Sequence, residues 1–174
     1  MPGMDKTQLE QANALSHSWF PKITRYAPNV GQEAWTDRMD VAGRYDPSTQ
    51  SVMVNTSRTP QLNEKQLAGL IALERMRGLL SSPEGPQFTN KLSLSYPQYD
   101  WWDKFYLPKN VSAPSDRPSR EQIIKSTILS RLAVGDTLPQ GAPMLSPEQH
   151  DMGRILSDYA SGRSVQSGQK FSGR

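Results

Sequence analysis

The sequence predicts an α+β fold: a mainly helical small core with one short β-hairpin or small sheet, and extended proline-rich arms and termini. Three observations carry this. Residues 63–80 form the longest apolar-periodic segment of the chain, broad enough for a main core helix. Immediately before it, residues 41–45 (VAGRY) and 51–55 (SVMVN) read as two short strands around a turn. Finally, only 35 % of the 174 residues are hydrophobic, while 14 are proline and 12 glycine, which suits a modest core with long irregular segments.

In chain order, residues 5–16 predict a first helix, with Leu9, Ala12 and Leu15 spaced along one side. Pro21 ends it, because the residue before a proline is pushed out of the helical region. Residues 22–29 are expected to be extended, and 31–40 to form a short helix using Ala34, Trp35 and Met39. The strand pair follows. Asp46-Pro47 opens its turn, since proline presets its own φ. In the second strand Val52 and Val54 share one face and Met53 takes the other. Asn63 stands as N-cap of the main helix with Gln66 at the capping-box position; Leu67, Leu70, Ile71, Met76, Leu79 and Leu80 form its apolar band. The run Ser81-Ser82-Pro83-Glu84-Gly85-Pro86 breaks it.

Residues 96–106, YPQYDWWDKFY, hold six of the fourteen aromatic residues in eleven positions. A proline- and serine-rich linker, 110–118, leads to a helix capped by Ser119 with Gln122 three residues on. It carries Ile124, Ile128 and Leu132 on one face, and Gly135 ends it. Residues 136–145 are a loop. Ser146-Pro147-Glu148 opens a last helix that buries Ile155, Leu156 and Tyr159. The polar composition from Ser161 onward reads as a disordered or partner-ordered tail. Three segments result: 1–40, an N-terminal helix and arm; 41–135, the core; and 136–174, a C-terminal helix with a polar basic tail.

The absence of cysteine removes disulfides and thiolate metal sites. The first residues lack a basic stretch followed by an apolar run, so no secretory signal is expected. No window approaches the roughly 18 apolar residues that a membrane span needs. The formal charge of +3 belongs to the last thirteen residues, which carry Arg163, Lys170 and Arg174 and no acid; the rest balances at 17 against 17. A weak nucleic-acid contact by the tail is the most this supports.

Catalytic signatures are sparse. A zinc hydrolase of the HExxH type sets two histidines at i and i+4 on one helix side, with a glutamate to polarise water. The matching window is Leu73-Glu74-Arg75-Met76-Arg77, where the glutamate is kept and both ligand positions fail. Arg77 has no lone pair to give a metal. His17 and His150 fall in different helices at opposite ends of the chain. No metal ligand, cofactor or catalytic residue is therefore assigned. Neither a Gly-x-Ser-x-Gly elbow nor a glycine-rich phosphate cradle is present. Asp100 and Asp103 read as solvent-side neighbours of an aromatic cluster rather than paired acids for glycoside chemistry.

The Gly43-Arg44-Tyr45-Asp46-Pro47 turn, the strand after it, a polar loop and then this helix resemble the approach to the active helix of small metallopeptidase-like domains, some of them phage-encoded. The resemblance spans about 40 residues and lacks the metal ligands. It implies a degenerate relative, inactive or with an unconventional site.

The aromatic segment has a second reading. Tryptophan and tyrosine dominate both cores and protein interfaces. Adjacent Trp101 and Trp102 cannot both face inward on a regular element, so one is expected to meet a partner. Stacking on nucleic acid wants interleaved basic residues, and only Lys104 lies within the segment. The expected function is a non-enzymatic structural or assembly protein of a virus particle, a phage head, connector or tail accessory component assembled in the host cytoplasm. Its expected partners are other protein subunits, met through Trp101, Trp102, Phe105, Tyr106, Arg163, Lys170 and Arg174. The alternatives are the metallopeptidase-like domain and a nucleic-acid-binding accessory protein using the basic tail.

Overall fold

The computed structural model describes residues 5–37, 41–57, 62–107 and 114–163. Helix α1 (Lys6–Trp19) starts at Asp5, whose side chain accepts from the Thr7 backbone N–H while Gln8 reaches back to the Asp5 backbone N–H. A 3-10 helix (Pro21–Tyr26) follows, where the sequence predicts extended chain. Pro21 ends α1 as expected, but its fixed φ also suits the first position of a new helical turn. Residues predicted as a short helix from 31 instead form strand β1 (Asn29–Glu33). Residues 38–40 of that predicted helix lie outside the described residues.

Strand β1 runs parallel to β3 (Ser51–Asn55), Val30 opposite Val52, and β2 (Gly43–Asp46) pairs antiparallel on the other side of β3. The sheet order is β1-β3-β2. Pairing with a strand twenty residues away decides the state of 29–33, and local propensity does not register it. The Asn55 side chain fixes the return loop: its Oδ1 accepts from the Trp35 and Ser57 amides, and its Nδ2 donates to the Trp35 and Val41 carbonyls. In the β2–β3 turn Asp46 accepts from the Ser48 amide and hydroxyl, and Gln50 takes a left-handed φ of 51°.

Helix α2 (Glu64–Ser81) is the centre of the molecule, capped by Asn63 and Gln66 as the sequence predicts. It joins two apolar clusters. Leu67, Ala68 and Ile71 pack with Leu9 and Ala12 of α1, Ala27 at the end of the 3-10 helix, and Val52 and Val54 of the sheet. Met76, Leu79 and Leu80 pack with the second cluster, which includes Ile124, Ile128 and Leu129 of α5 (Arg117–Val134) and Leu156 of α6 (Pro147–Ser161). Leu9, Ala12, Ile23 and Ala27 are all buried, so much of 5–27 is core and not an arm. A single turn, α3 (Pro86–Thr89), and a short helix, α4 (Tyr96–Trp101), complete the second half, α4 running on as a π-helical turn from Trp102 to Tyr106.

Helix α5 starts earlier than Ser119. Asp116 is the cap, accepting from the Ser119 amide; Pro118, with no N–H to satisfy, fits inside the first turn. Gln122 is thereby released to donate to Thr89 Oγ1. Gly135 closes α5 with φ 78°, as predicted. Helices α5 and α6 touch closely at Gly153, where a Cβ would stand 2.4 Å from Leu132 Cβ. The N-termini of α4 and α6 are tied by a reciprocal amide pair. Gln98 Nε2 donates to Gln149 Oε1 at 2.9 Å and Gln149 Nε2 to Gln98 Oε1 at 2.8 Å, each glutamine also completing its own helix's capping box. None of the helices described is long and apolar enough to cross a membrane.

At the seam between the two clusters α2 carries Arg75, fully buried. Its Nε donates to the Ala27 carbonyl at 2.9 Å and its Nη2 to Asn13 Oδ1 at 2.6 Å; Nη1 has no partner among the described residues. Burial pushes its pKa down to about 10, leaving it charged at neutral pH. Arg75→Ala leaves both acceptors unpaired and opens a cavity, and is expected to cost about 3–5 kcal/mol, read from urea denaturation. A change under about 1 kcal/mol would show that this clamp holds nothing together.

Candidate functional site

The helix position that matches the HExxH glutamate is occupied by Glu74, only 3 % exposed. Arg77, one turn on, has its Nε 4.0 Å from Glu74 Oε2, an ion pair without a hydrogen bond. Arg131 from α5 adds a second guanidinium, and the Tyr45 backbone amide of β2 faces the carboxylate. Burial pushes the Glu74 carboxyl up, opposed by Arg77 and then Arg131. The Arg77 guanidinium is held charged chiefly by Glu74. Glu74 Oε1, Arg77 Nε and Arg131 Nε have no hydrogen-bond partner among the described residues.

Among the described residues, neither histidine is grouped with the glutamate as a metal ligand. His17 pairs through Nδ1 with Thr24 Oγ1 at 2.7 Å, and His150 is exposed on α6. Among the described residues no three His, Asp or Glu side chains are grouped to hold a metal.

On the far side of Arg77 lies the aromatic segment. Arg77 Nη2 is 3.4 Å from Tyr106 Oη. Trp102 is completely buried, packed edge-on against both Trp101 (5.2 Å) and Tyr106 (5.1 Å). The expectation of a partner contact at Trp102 is therefore corrected: it is a core residue, and half-buried Tyr106 braces it. The two tryptophans do divide between inside and outside, since Trp101 is half-buried and leans on Phe105, which is 61 % exposed. Beside this ridge, Asp100 pairs with Lys104 at 3.2 Å, and Asp103 with Arg120 at 2.6 Å. Tyr96 and Met144 are the other large apolar side chains left in solvent nearby in the fold, Met144 sitting where its carbonyl accepts from Gln98.

Of the basic tail only Arg163 is described. It is exposed but pairs with Asp158 at 2.7 Å. Lys170 and Arg174 lie outside the described residues.

Sequence reasoning missed one polar centre. Glu84 Oε1 accepts from Tyr26 Oη and from Arg25 Nη2 (2.7 Å), and Oε2 accepts from Tyr159 Oη (2.7 Å). These side chains come from three places in the chain, so no local spacing announces them. The tyrosine hydroxyls, first Tyr26 and then Tyr159, hold the Glu84 carboxyl below the usual glutamate range; burial and the bond to Glu84 push Tyr26 up to about 12.

No protein-family model, curated protein or solved structure matches this chain.

The Glu84 centre yields a signed pH dependence. A carboxyl whose folded pKa is depressed contributes stability above its unfolded pKa, and that contribution is lost as pH falls through the folded value. Tyr159→Phe should destabilise by about 1–2 kcal/mol at neutral pH, with the deficit shrinking under acid as Glu84 protonates. Thermal denaturation of both proteins across that range checks it, and a deficit independent of pH would remove Glu84 from the account.

Proposed function

We propose that this protein is a non-enzymatic assembly subunit of a virus particle, joined to neighbouring protein subunits through the ridge of Trp101 and Phe105. The observation that carries the reading is Phe105, 61 % exposed on a turn whose next layer, Trp102, is fully buried. An exposed aromatic ring seated on a buried aromatic layer offers a partner a large apolar contact at low entropic cost. Its charged neighbours Asp100 and Lys104 neutralise each other, which favours an apolar protein partner over a phosphate backbone. The virus-particle assignment rests on a general resemblance to phage virion components and on no motif.

A photo-crosslinking residue at position 105, introduced during particle assembly, is expected to give one discrete protein adduct. The same residue at Glu10, exposed on α1, should give none. Phe105→Ser should keep the fold and weaken incorporation into purified particles about 30-fold, the effect of losing an anchor worth about 2 kcal/mol. Incorporation at the wild-type copy number would contradict the proposal.

A further inference from the structure

Glu74 sits where α2, β2, α5 and the 102–106 turn come together, and the groups around it are unequally anchored. Arg131 has other partners: its Nη1 reaches Asp136 Oδ2 at 3.4 Å and donates to the Thr137 carbonyl at 3.0 Å. Tyr45 is fixed by strand pairing with Val52. Arg77 has no such support. Its Nε is unpartnered, its link to Tyr106 Oη is a long 3.4 Å, and a third of its side chain already meets solvent. What keeps it turned inward is attraction to a buried charge, strong because the surroundings are poorly polarisable. Tyr106 in turn belongs to a π-helical turn, a rare arrangement that is frequent at functional sites.

We propose that Glu74 is a proton-operated latch: ionised, it holds Arg77 inward beneath Tyr106; protonated, it lets Arg77 turn out to solvent and frees the Trp102–Tyr106 turn. Atom Oε1 is out of solvent and has no hydrogen-bond partner among the described residues, so protonation removes a buried charge that no hydrogen bond at that atom compensates. Burial, the largest influence on this carboxyl, favours the neutral form. The turn that moves carries Phe105, so the latch would set the pose of the ridge, but it operates whatever that ridge binds.

Nuclear magnetic resonance on the full chain tests this by following the Glu74 side-chain carboxyl carbon and the Trp102 indole N–H from neutral to acid pH. The two should titrate with one shared midpoint above the ordinary glutamate range, because the Tyr106 ring lies 5.1 Å from Trp102 and its displacement changes the field at the indole. In Glu74→Gln the indole signal should sit at the wild-type acid position at every pH, with complete loss of the step. Arg77→Met, which removes the latched group without touching the carboxyl, should place the indole at that same acid position. An indole signal that stays flat through the Glu74 titration overturns the proposal. So does a step that survives in Glu74→Gln, or an Arg77→Met indole at the wild-type neutral position.

Discussion

The rest of the structure depends on the enclosure of α2. A helix buried on nearly all sides normally carries apolar residues all round. This one carries Glu74 and Arg75 inside, with Arg77 at the surface, a third of its side chain exposed. Removing charged groups from water is expensive, so each must be met by the elements packed around the helix. Arg75 is met by Asn13 of α1 and by the Ala27 carbonyl that ends the 3-10 helix. Glu74 and Arg77 meet each other, with Arg131 of α5 and Tyr106 of the π-helical turn beside them. The charged positions lie between the two apolar clusters, so satisfying them also fixes how the two halves of the molecule meet.

The two poles are not satisfied alike. The Arg75 side is made of short hydrogen bonds to groups held by helix and backbone. On the Glu74 side there is a 4.0 Å ion pair, a 3.4 Å contact and three polar atoms without described partners. Other polar side chains are used more completely, although Ser16 Oγ, Arg75 Nη1 and Trp102 Nε1 also lack a described partner. The Gln98–Gln149 pair fills both amides while capping two helices, and Asn55 makes four backbone contacts in one loop. Three of the six buried polar side-chain atoms without a partner among the described residues gather around Glu74, and such a concentration calls for a reason.

The helices were legible because their signals are local. Asn63 with Gln66, Ser146 before Pro147, and Gly135 each act through a backbone group a few residues away. Where the deciding partner is distant, the sequence misleads. Residues 29–33 become a strand because β3 accepts them; the shift of the α5 cap to Asp116 is by contrast local, Pro118 fitting within the first turn. The candidate site was half legible. The window 73–77 drew attention to Glu74 through a resemblance whose metal ligands are missing, and nothing in it showed that the glutamate would face two arginines. In the aromatic segment the crowding of rings was plain. Which tryptophan goes inside depends on the π-helical turn and on Tyr106, neither of which has a sequence period to betray it.

The most direct measurement is native-state hydrogen exchange of the α2 amides. If this helix is the element on which the others assemble, amides from Ile71 to Leu80 exchange only through global unfolding and are the slowest in the chain. The amides of α1 and α6 should then open at lower free energy. Exchange of the α2 core at the same rate as the ends of α1, or ahead of α6, would contradict the account, because a helix that opens first cannot be holding the rest in place.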